Sequence, residues 1–237
     1  MQRYFIHLNK ENIIFSENDV FHITKVMRGK INDHIQVVDI DTKKVYLAVI
    51  ASINPFRVEI VEPINENTEL DKEVTLFFAL AKSDKNDFVI QKATELGASK
   101  VVLFQGERSV VKYSDSDFAR KKERYVSIAK EAAEQCHRQL IPEIIYLSSI
   151  NKIESYLADI NLFAYECEAG KSSDIENLTK DCKSVSIIIG PEGGFSLKEA
   201  DYLKSLKFVP VSLGNRILRC ETAAVYALSV ISHILEK

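Results

Sequence analysis

No two of the four cysteines (Cys136, Cys167, Cys182, Cys220) form a C-x-x-C pair, and the five histidines (His7, His22, His34, His137, His233) lack metal-ligand spacing. That pattern argues against a zinc site or a disulfide framework, so reduced thiols and no metal are expected. The opening stretch "MQRYFIHLNKEN" has no apolar centre of signal-peptide length, and no run elsewhere approaches a membrane span. A cytoplasmic protein without a membrane partner is the expectation. Excess positive charge is missing too: 31 Lys and Arg stand against 34 Asp and Glu, a net charge of −3. Any nucleic-acid contact must then come from local patches rather than from a basic domain. No internal repeat or low-complexity tract is present.

Glycine is also scarce, with eight in 237 residues, yet three of them crowd into "IGPEGGFSLKE" (Ile189 to Glu199), behind the apolar run "SVSII". Gly190, Gly193 and Gly194 can take positive φ and let a ligand approach the backbone closely. Pro191 removes an N–H donor and keeps Gly190 out of helical angles. Ser196 and Glu199 have capping-box spacing, which predicts a helix start. The segment reads as strand, glycine loop, helix N-terminus, a junction at which open α/β sheets bind ligands. Two common ligands are disfavoured. The P-loop pattern G-x-x-x-x-G-K-[ST] and the dinucleotide pattern G-x-G-x-x-G are both absent, and the Glu192 carboxylate opposes a polyphosphate. A neutral or positively charged ligand fits better.

Around this stretch the chain divides in two. Residues 1–70 hold short β-branched runs: "RYFIHL", "HIQVVDID", "KVYLAVIASI" and "FRVEIVEPI". Among them "SENDVFHITKVMR" suits a short helix with Val20, Ile23 and Val26/Met27 on its inner face. "NENTELDKE" is acidic, lacks an apolar pattern and reads as a linker. From residue 74 to 237, fully apolar strands ("VTLFFALA", "KVVLF", "IIYL", "NLFAYECE", "SVSIIIG", "FVPVSLG") alternate with helices, which implies a mainly parallel sheet covered on both faces. Two further strand ends, "AYECEAG" and "VSLGNRILRCETAA", carry small polar loops. Three such loops at one sheet edge would form a small-molecule pocket with apolar walls from Leu213, Ile217 and Leu218.

"GPEGGFS" followed by "LG-x-RILR-x-ETA" resembles the C-terminal signature of SPOUT-class RNA methyltransferases. "ALAKSDKNDFVIQKATELGA", "ERSVVK" and "EAAEQCHRQLIP" are similar to the branch that methylates N3 of a uridine in 16S ribosomal RNA, the RsmE family. "RYFI…HITKVMR" resembles that branch's small PUA-like RNA-binding β-barrel. The resemblance spans essentially the whole chain and implies S-adenosylmethionine as methyl donor, a trefoil-knotted α/β domain and a homodimer. It also implies 16S rRNA as partner, either naked or within the small ribosomal subunit. A SPOUT enzyme acting on another RNA position, and a non-catalytic ribosome-assembly factor, are the alternatives.

Cofactor positions carried over from the resemblance are Tyr165, Glu166, Gly190, Glu192, Gly193, Leu213, Gly214, Ile217, Leu218 and Thr222. Uridine N3 is a poor nucleophile until its proton leaves, so a base or a charge-stabilising cation is required; Glu95 and Arg219 are the candidates. Lys82, Lys85, Gln91, Lys92, Arg108, Gln135 and Arg138 are candidate RNA contacts. Arg3 and Arg28 on the first domain are candidate phosphate contacts.

Overall fold

The structure is a computed structural model in which residues 1–9, 12–166 and 175–237 are described. The chain forms two compact units. One comprises residues 1–69 and 130–140, the other residues 70–129 and 141–237.

The first unit contains β1 (Arg3–Asn9), β2 (Asn12–Ile14), α1 (Glu17–Phe21), β3 (His34–Asp39), β4 (Val45–Ile53) and β5 (Phe56–Ile64). They make a mixed half-barrel in the order β2-β1-β3-β4-β5, with β1 and β3 parallel and the other pairs antiparallel. Register shifts between Leu47/Ala48 and Ile50/Ser52 interrupt the β4–β5 ladder, and such bulges bend a strand. Alternation on β1 sends Tyr4 and Ile6 into a core with Ile23, Ile35, Val37, Ala48 and Ile50. Arg3 lies on the opposite face, and its guanidinium is fully buried. It donates to Gln36 Oε1 at 2.8 Å, to the His137 carbonyl and to Glu66. Glu66 and Glu69, in the acidic stretch read as a linker, are therefore anchored rather than loose: Glu69 takes the buried Arg138 and the Gln139 N–H at 2.8 Å.

Segment 16–28 departs from the expected short helix. α1 runs into a single π turn over His22–Val26, with the Met27 N–H bonded to the His22 carbonyl at 2.9 Å. The wider turn adds a residue to the period and shifts its phase. Ile23 stays buried, while Val26 and Met27, expected on the inner face, are exposed.

The second unit contains β6 (Glu73–Ala79), α2 (Ser83–Glu95), β7 (Lys100–Phe104), α3 (Asp115–Gln135, up to Ala129 here), β8 (Glu143–Leu147), a 3₁₀ segment (Ile150–Tyr156), β9 (Ile160–Ala164), α4 (Ile175–Thr179), β10 (Ser184–Ile189), α5 (Leu197–Ser205), β11 (Val209–Val211) and α6 (Cys220–Leu235). The six strands are all parallel, in the order β11-β9-β10-β6-β7-β8. Parallel strands are buried on both faces, and β6 shows how. Leu76 and Phe78 enter a core with α2, α3 and α6, while Phe77 and Ala79 enter the opposite core with Phe208 and α5. Gly97, at φ +86°, turns the chain out of α2, as expected of a glycine just past a helix end. Cys136, Cys182 and Cys220 form no disulfide with one another; Cys167 lies outside the described residues.

Candidate functional site

The strand order makes β11, β9 and β10 neighbours, and because all are parallel their C-terminal loops leave the same sheet edge. These loops enclose a cleft of about 570 Å³, within the range of small-molecule sites. The loop after β10 supplies Gly190 to Phe195. The loop after β11 supplies Ser212 to Gly214 and Arg216 to Arg219. The end of β9 leads to Ala164, Tyr165 and Glu166. Residues 167–174, the rest of that third loop, lie outside the described residues.

The glycine loop is held by specific bonds. Ser196 accepts from the Glu199 N–H at 3.2 Å, and Glu199 accepts from the Ser196 N–H at 2.8 Å, completing the capping box that starts α5. The other Glu199 oxygen accepts from the Glu107 N–H at 2.8 Å, joining this helix start to the loop after β7. From that loop Arg108 donates to the Gly193 carbonyl at 2.9 Å and to the Phe195 carbonyl at 3.3 Å. Gly194 sits at φ +67°, with its N–H on the Pro191 carbonyl at 2.8 Å, and Gly214 at φ +105°. A β-carbon on L-residues disfavours both conformations. Gly190 serves differently from the expected positive φ: a β-carbon there would lie 3.0 Å from the Phe195 ring, so its role is close packing.

Opposite the glycines, α2 contributes Lys85. Its ammonium bonds Glu192 at 3.1 Å and Glu221 at 3.2 Å, tying the glycine loop to the first turn of α6. Burial alone would lower the lysine, but the two carboxylates outweigh it and its pKa stands above the ordinary value. Glu221 also accepts from the Cys220 thiol at 3.1 Å. Burial, then Glu221 and Glu192, push that thiol up to about 12, so it stays protonated. The cluster of two carboxylates and one ammonium is itself net negative, and Arg216, Arg219 and Glu166 bring further charge of both signs to the cleft wall. Apolar surface comes from Leu213, Leu218 and the 89 % exposed Ile217.

Residues 68–232 match the RNA methyltransferase domain family, and residues 15–62 match the RNA methyltransferase PUA domain. The ribosomal RNA small subunit methyltransferase E of Bacillus subtilis (strain 168) is 37% identical over 252 residues, covering 100% of this chain and 98% of the relative. The chain belongs to the ribosomal RNA small subunit methyltransferase E family. Two solved structures are similar over nearly their whole length. A putative methyltransferase from Legionella pneumophila in complex with S-adenosylmethionine is 28% identical, with a TM-score of 0.87, covering 98% of this chain and 96% of that one. A ribosomal RNA small subunit methyltransferase E from Neisseria gonorrhoeae bound to S-adenosyl methionine is 25% identical, also with a TM-score of 0.87, covering 99% and 98%.

In this member of the methyltransferase E family, Tyr165, Glu166, Gly190, Glu192, Gly193, Leu213, Gly214, Ile217 and Leu218 all line the cleft. Thr222 does not. It is exposed, whereas the buried Cys220 and Ala223, three apart on α6, face the cleft. Arg219 lines the cleft as the N-cap residue of α6. Glu95 is remote from it, ten residues beyond Lys85 on the same helix and so about 15 Å further along the axis; it pairs with Lys92 at 2.8 Å. Lys85, expected on the RNA side, is part of the cleft wall, and Arg108 braces the glycine loop. Arg3 and Arg138 differ from the expected surface contacts, because both are buried against carboxylates and present no face to a phosphate. Arg28, Lys82, Gln91 and Gln135 are exposed. Sequence reasoning missed Ser212, Arg216 and Cys220 as cleft residues. All three lie inside the stretch "VSLGNRILRCETAA", so their position was the available signal. Among the described residues, no group of three His, Cys, Asp or Glu is arranged to hold a metal, and no helix is long and apolar enough to cross a membrane.

Proposed function

We propose that this protein methylates N3 of a single uridine in 16S ribosomal RNA with S-adenosylmethionine, as a cytoplasmic homodimer. In this reading residues 1–70 serve RNA binding and residues 74–237 serve catalysis. The observation that carries it is the cleft of three strand-end loops in a chain of this family. The residues present fit the cofactor. Tight glycine backbone admits close approach, Leu213, Ile217 and Leu218 offer apolar contact, and the Glu166 and Glu192 carboxylates on the cleft wall can face the cationic groups of the cofactor.

S-adenosylmethionine supplies an electrophilic methyl group on a positively charged sulfur. This chain's own contribution is to hold and orient. Glu166, Glu192 and the backbone of Gly190, Gly193 and Gly214 would bind the cofactor, and fixing two reactants in line supplies much of the acceleration in a displacement. Uridine N3 must lose its proton to become a nucleophile. Arg219, exposed at the start of α6 on the cleft wall, is the group suited to stabilise the resulting negative uracil ring.

Incubating the protein with S-adenosylmethionine and small-subunit rRNA should stop reverse transcriptase at one uridine, because the methyl replaces the N–H on the pairing edge. Nucleoside mass spectrometry should then find 3-methyluridine. A methyl on ribose, on carbon 5 or on guanine would overturn the assignment. Gly193→Val should weaken calorimetric binding of S-adenosylmethionine in a folded protein, since a β-carbon there already lies 3.1 Å from Arg108 Cβ.

A further inference from the structure

Within the second unit, the C-terminal edge of the sheet carries another recess, away from the loops of β11 and β9. It lies where the loops after β7 and β8 meet the first turns of α5, and it encloses about 400 Å³, enough for a small polar ligand. One wall joins it to the cofactor cleft. A β-carbon on Gly106, in the loop after β7, would lie 3.5 Å from Pro191 Cδ of the glycine loop. Arg108 of the same loop holds the Gly193 and Phe195 carbonyls. Only β6 separates β10 from β7, so two strand spacings, about 10 Å, lie between the strand of the glycine loop and this recess. Neighbouring nucleotides of one extended strand can span that distance.

The walls are polar, and much of their bonding capacity is open. Glu199 is satisfied, since its two oxygens accept the Glu107 and Ser196 N–H groups at 2.8 Å each. The side chains of Gln105, Glu107, Lys112, Ser148, Asn151 and Lys198 line the recess and make no hydrogen bond or ion pair among the described residues. Glu107 and the two lysines share one recess without pairing, so an acceptor and two cations stay open to a third molecule. Tyr202 adds an aromatic ring. Its hydroxyl lies 3.2 Å from the Asn151 carbonyl oxygen and 3.0 Å from Glu154 Oε1, which holds the ring in place.

We propose that this recess binds a nucleotide adjoining the methylated uridine in the RNA strand, and that it selects a base with an exocyclic amino group. The Glu107 carboxylate can accept from such an amino group, as acidic side chains do from cytosine N4, and it repels the carbonyl oxygen that uracil has there. Gln105 and Asn151 each offer both donor and acceptor to a base edge. The Tyr202 ring gives a stacking surface, and the exposed Lys112 and Lys198 suit the phosphates. Splayed bases are read in this manner, by edge contacts beside a ring. Glu107 opposes a simple anion, and an apolar ligand would strand the open polar groups without partners. This deepens the proposed function by naming a second nucleotide contact, and it rests on that reading for the identity of the RNA.

The first test titrates cytidine and uridine 5′-monophosphates into the full-length protein holding excess S-adenosylmethionine, read by saturation-transfer NMR. Cytidine monophosphate should bind about tenfold more tightly, near the lower end of what one base-edge contact discriminates. Glu107→Gln should bring that ratio to about one, because a carboxamide donates as well as accepts. Lys112→Ala and Lys198→Ala should each weaken cytidine monophosphate about threefold and leave cytidine unaffected. Calorimetric affinity for S-adenosylmethionine should be unchanged in all three variants. The second test uses small-subunit rRNA transcripts carrying each of the four bases in turn on either side of the methylated uridine. At one of these positions, uracil in place of an amino-bearing base should slow single-turnover methylation about tenfold, and filter-binding affinity should follow the same order. In Glu107→Gln that dependence should vanish. A merely structural Glu107 would instead change all four transcripts alike.

Equal affinity for the two nucleotides, or a preference that survives Glu107→Gln, would overturn the base pocket. Nucleotide selectivity with no flanking-base dependence in either RNA assay would mean a site for free nucleotides and overturn the assignment to the strand. If both selectivities appear in binding and are lost in Glu107→Gln, yet rRNA receives no methyl, the pocket stands and the proposed activity fails.

Discussion

Lys85→Met isolates what the lysine bridge does. Its ammonium lies 3.1 Å from one Glu192 oxygen and 3.2 Å from one Glu221 oxygen, so those two oxygens are at most about 6 Å apart. Methionine keeps most of the stem and removes the charge, leaving two carboxylates facing each other without a counter-ion. At an effective dielectric of about 20, like charges at that separation repel by about 3 kcal/mol. Glu192 is 33 % exposed, so water screens part of this, and about 1–2 kcal/mol is the net expectation. For a chain of this length that lowers the melting temperature by about 2–8 °C. Adding Glu192→Gln removes the repulsion, and the double variant should recover most of the loss. Thermal unfolding of wild type, both single variants and the pair gives the coupling directly. At 1 M salt the Lys85→Met deficit should shrink, because screening then reaches to about 3 Å. If Lys85→Met melts like the wild type at low salt, or Glu192→Gln fails to rescue it, the bridge does not hold the glycine loop.

Two other outcomes follow from the same geometry. Burial pushes Glu134 up to about 7, assisted by Asp19 and opposed by Lys130 and the Phe5 N–H, so the folded chain keeps a proton that the unfolded chain releases near 4.5. The folded state then binds more protons across that window, and stability falls as pH rises from about 4.5 to 7 and is flat beyond it. Glu134→Gln, which retains an oxygen for the Phe5 N–H, should match wild type at pH 4.5 and exceed it at pH 8 by an amount on the order of 3 kcal/mol. An equal difference at both pH values would refute this, with chemical denaturation as the measurement. Gly194→Ala should destabilise by about 1 kcal/mol, because φ +67° disfavours a β-carbon that would also meet a Glu166 oxygen at 2.6 Å. That oxygen ends a flexible, exposed side chain and can swing aside; a loss above about 3 kcal/mol would show that it cannot.

The parts of the fold set by short-range chemistry were readable in the sequence. The S-x-x-E spacing of Ser196 and Glu199 gave the start of α5, because both bonds of a capping box lie within three residues. Apolar runs gave parallel strands, and the glycines marked which strand ends form loops. What was not readable depends on partners distant along the chain. Lys85 read as an RNA contact until α2 brought it between Glu192 and Glu221, more than a hundred residues away. Arg3 and Arg138 looked like phosphate ligands because a charge pattern carries no burial, and their carboxylates lie in a stretch that seemed only a linker. The periodicity of α3 ran unbroken, so nothing marked residues 130–140 as part of the first unit. The π turn escaped because one added residue per turn moves Val26 and Met27 outward without altering composition.

The position of β10 has a consequence for the order in which this protein can be built. That strand sits between β6 and β9, yet the ribosome delivers it about 110 residues after β6. Among the described residues β9 pairs with β10 and β11, both synthesised later, so it emerges before those neighbours are in place. The sheet is therefore completed by insertion at its centre rather than by extension at its edge. Until residue 189 is available, the apolar flank of β6 stays open to strand pairing with other chains, the circumstance in which nascent proteins aggregate. Pairings this distant in sequence are also slow to form, because the loop between them must close before any ladder bond rewards it. Fragments that end before Ser184 hold β6, β7 and β8 on one side and an orphaned β9 on the other. A chain that stops before Ser184 therefore leaves the β6 flank unshielded, and only once β10 is made can the sheet cover it.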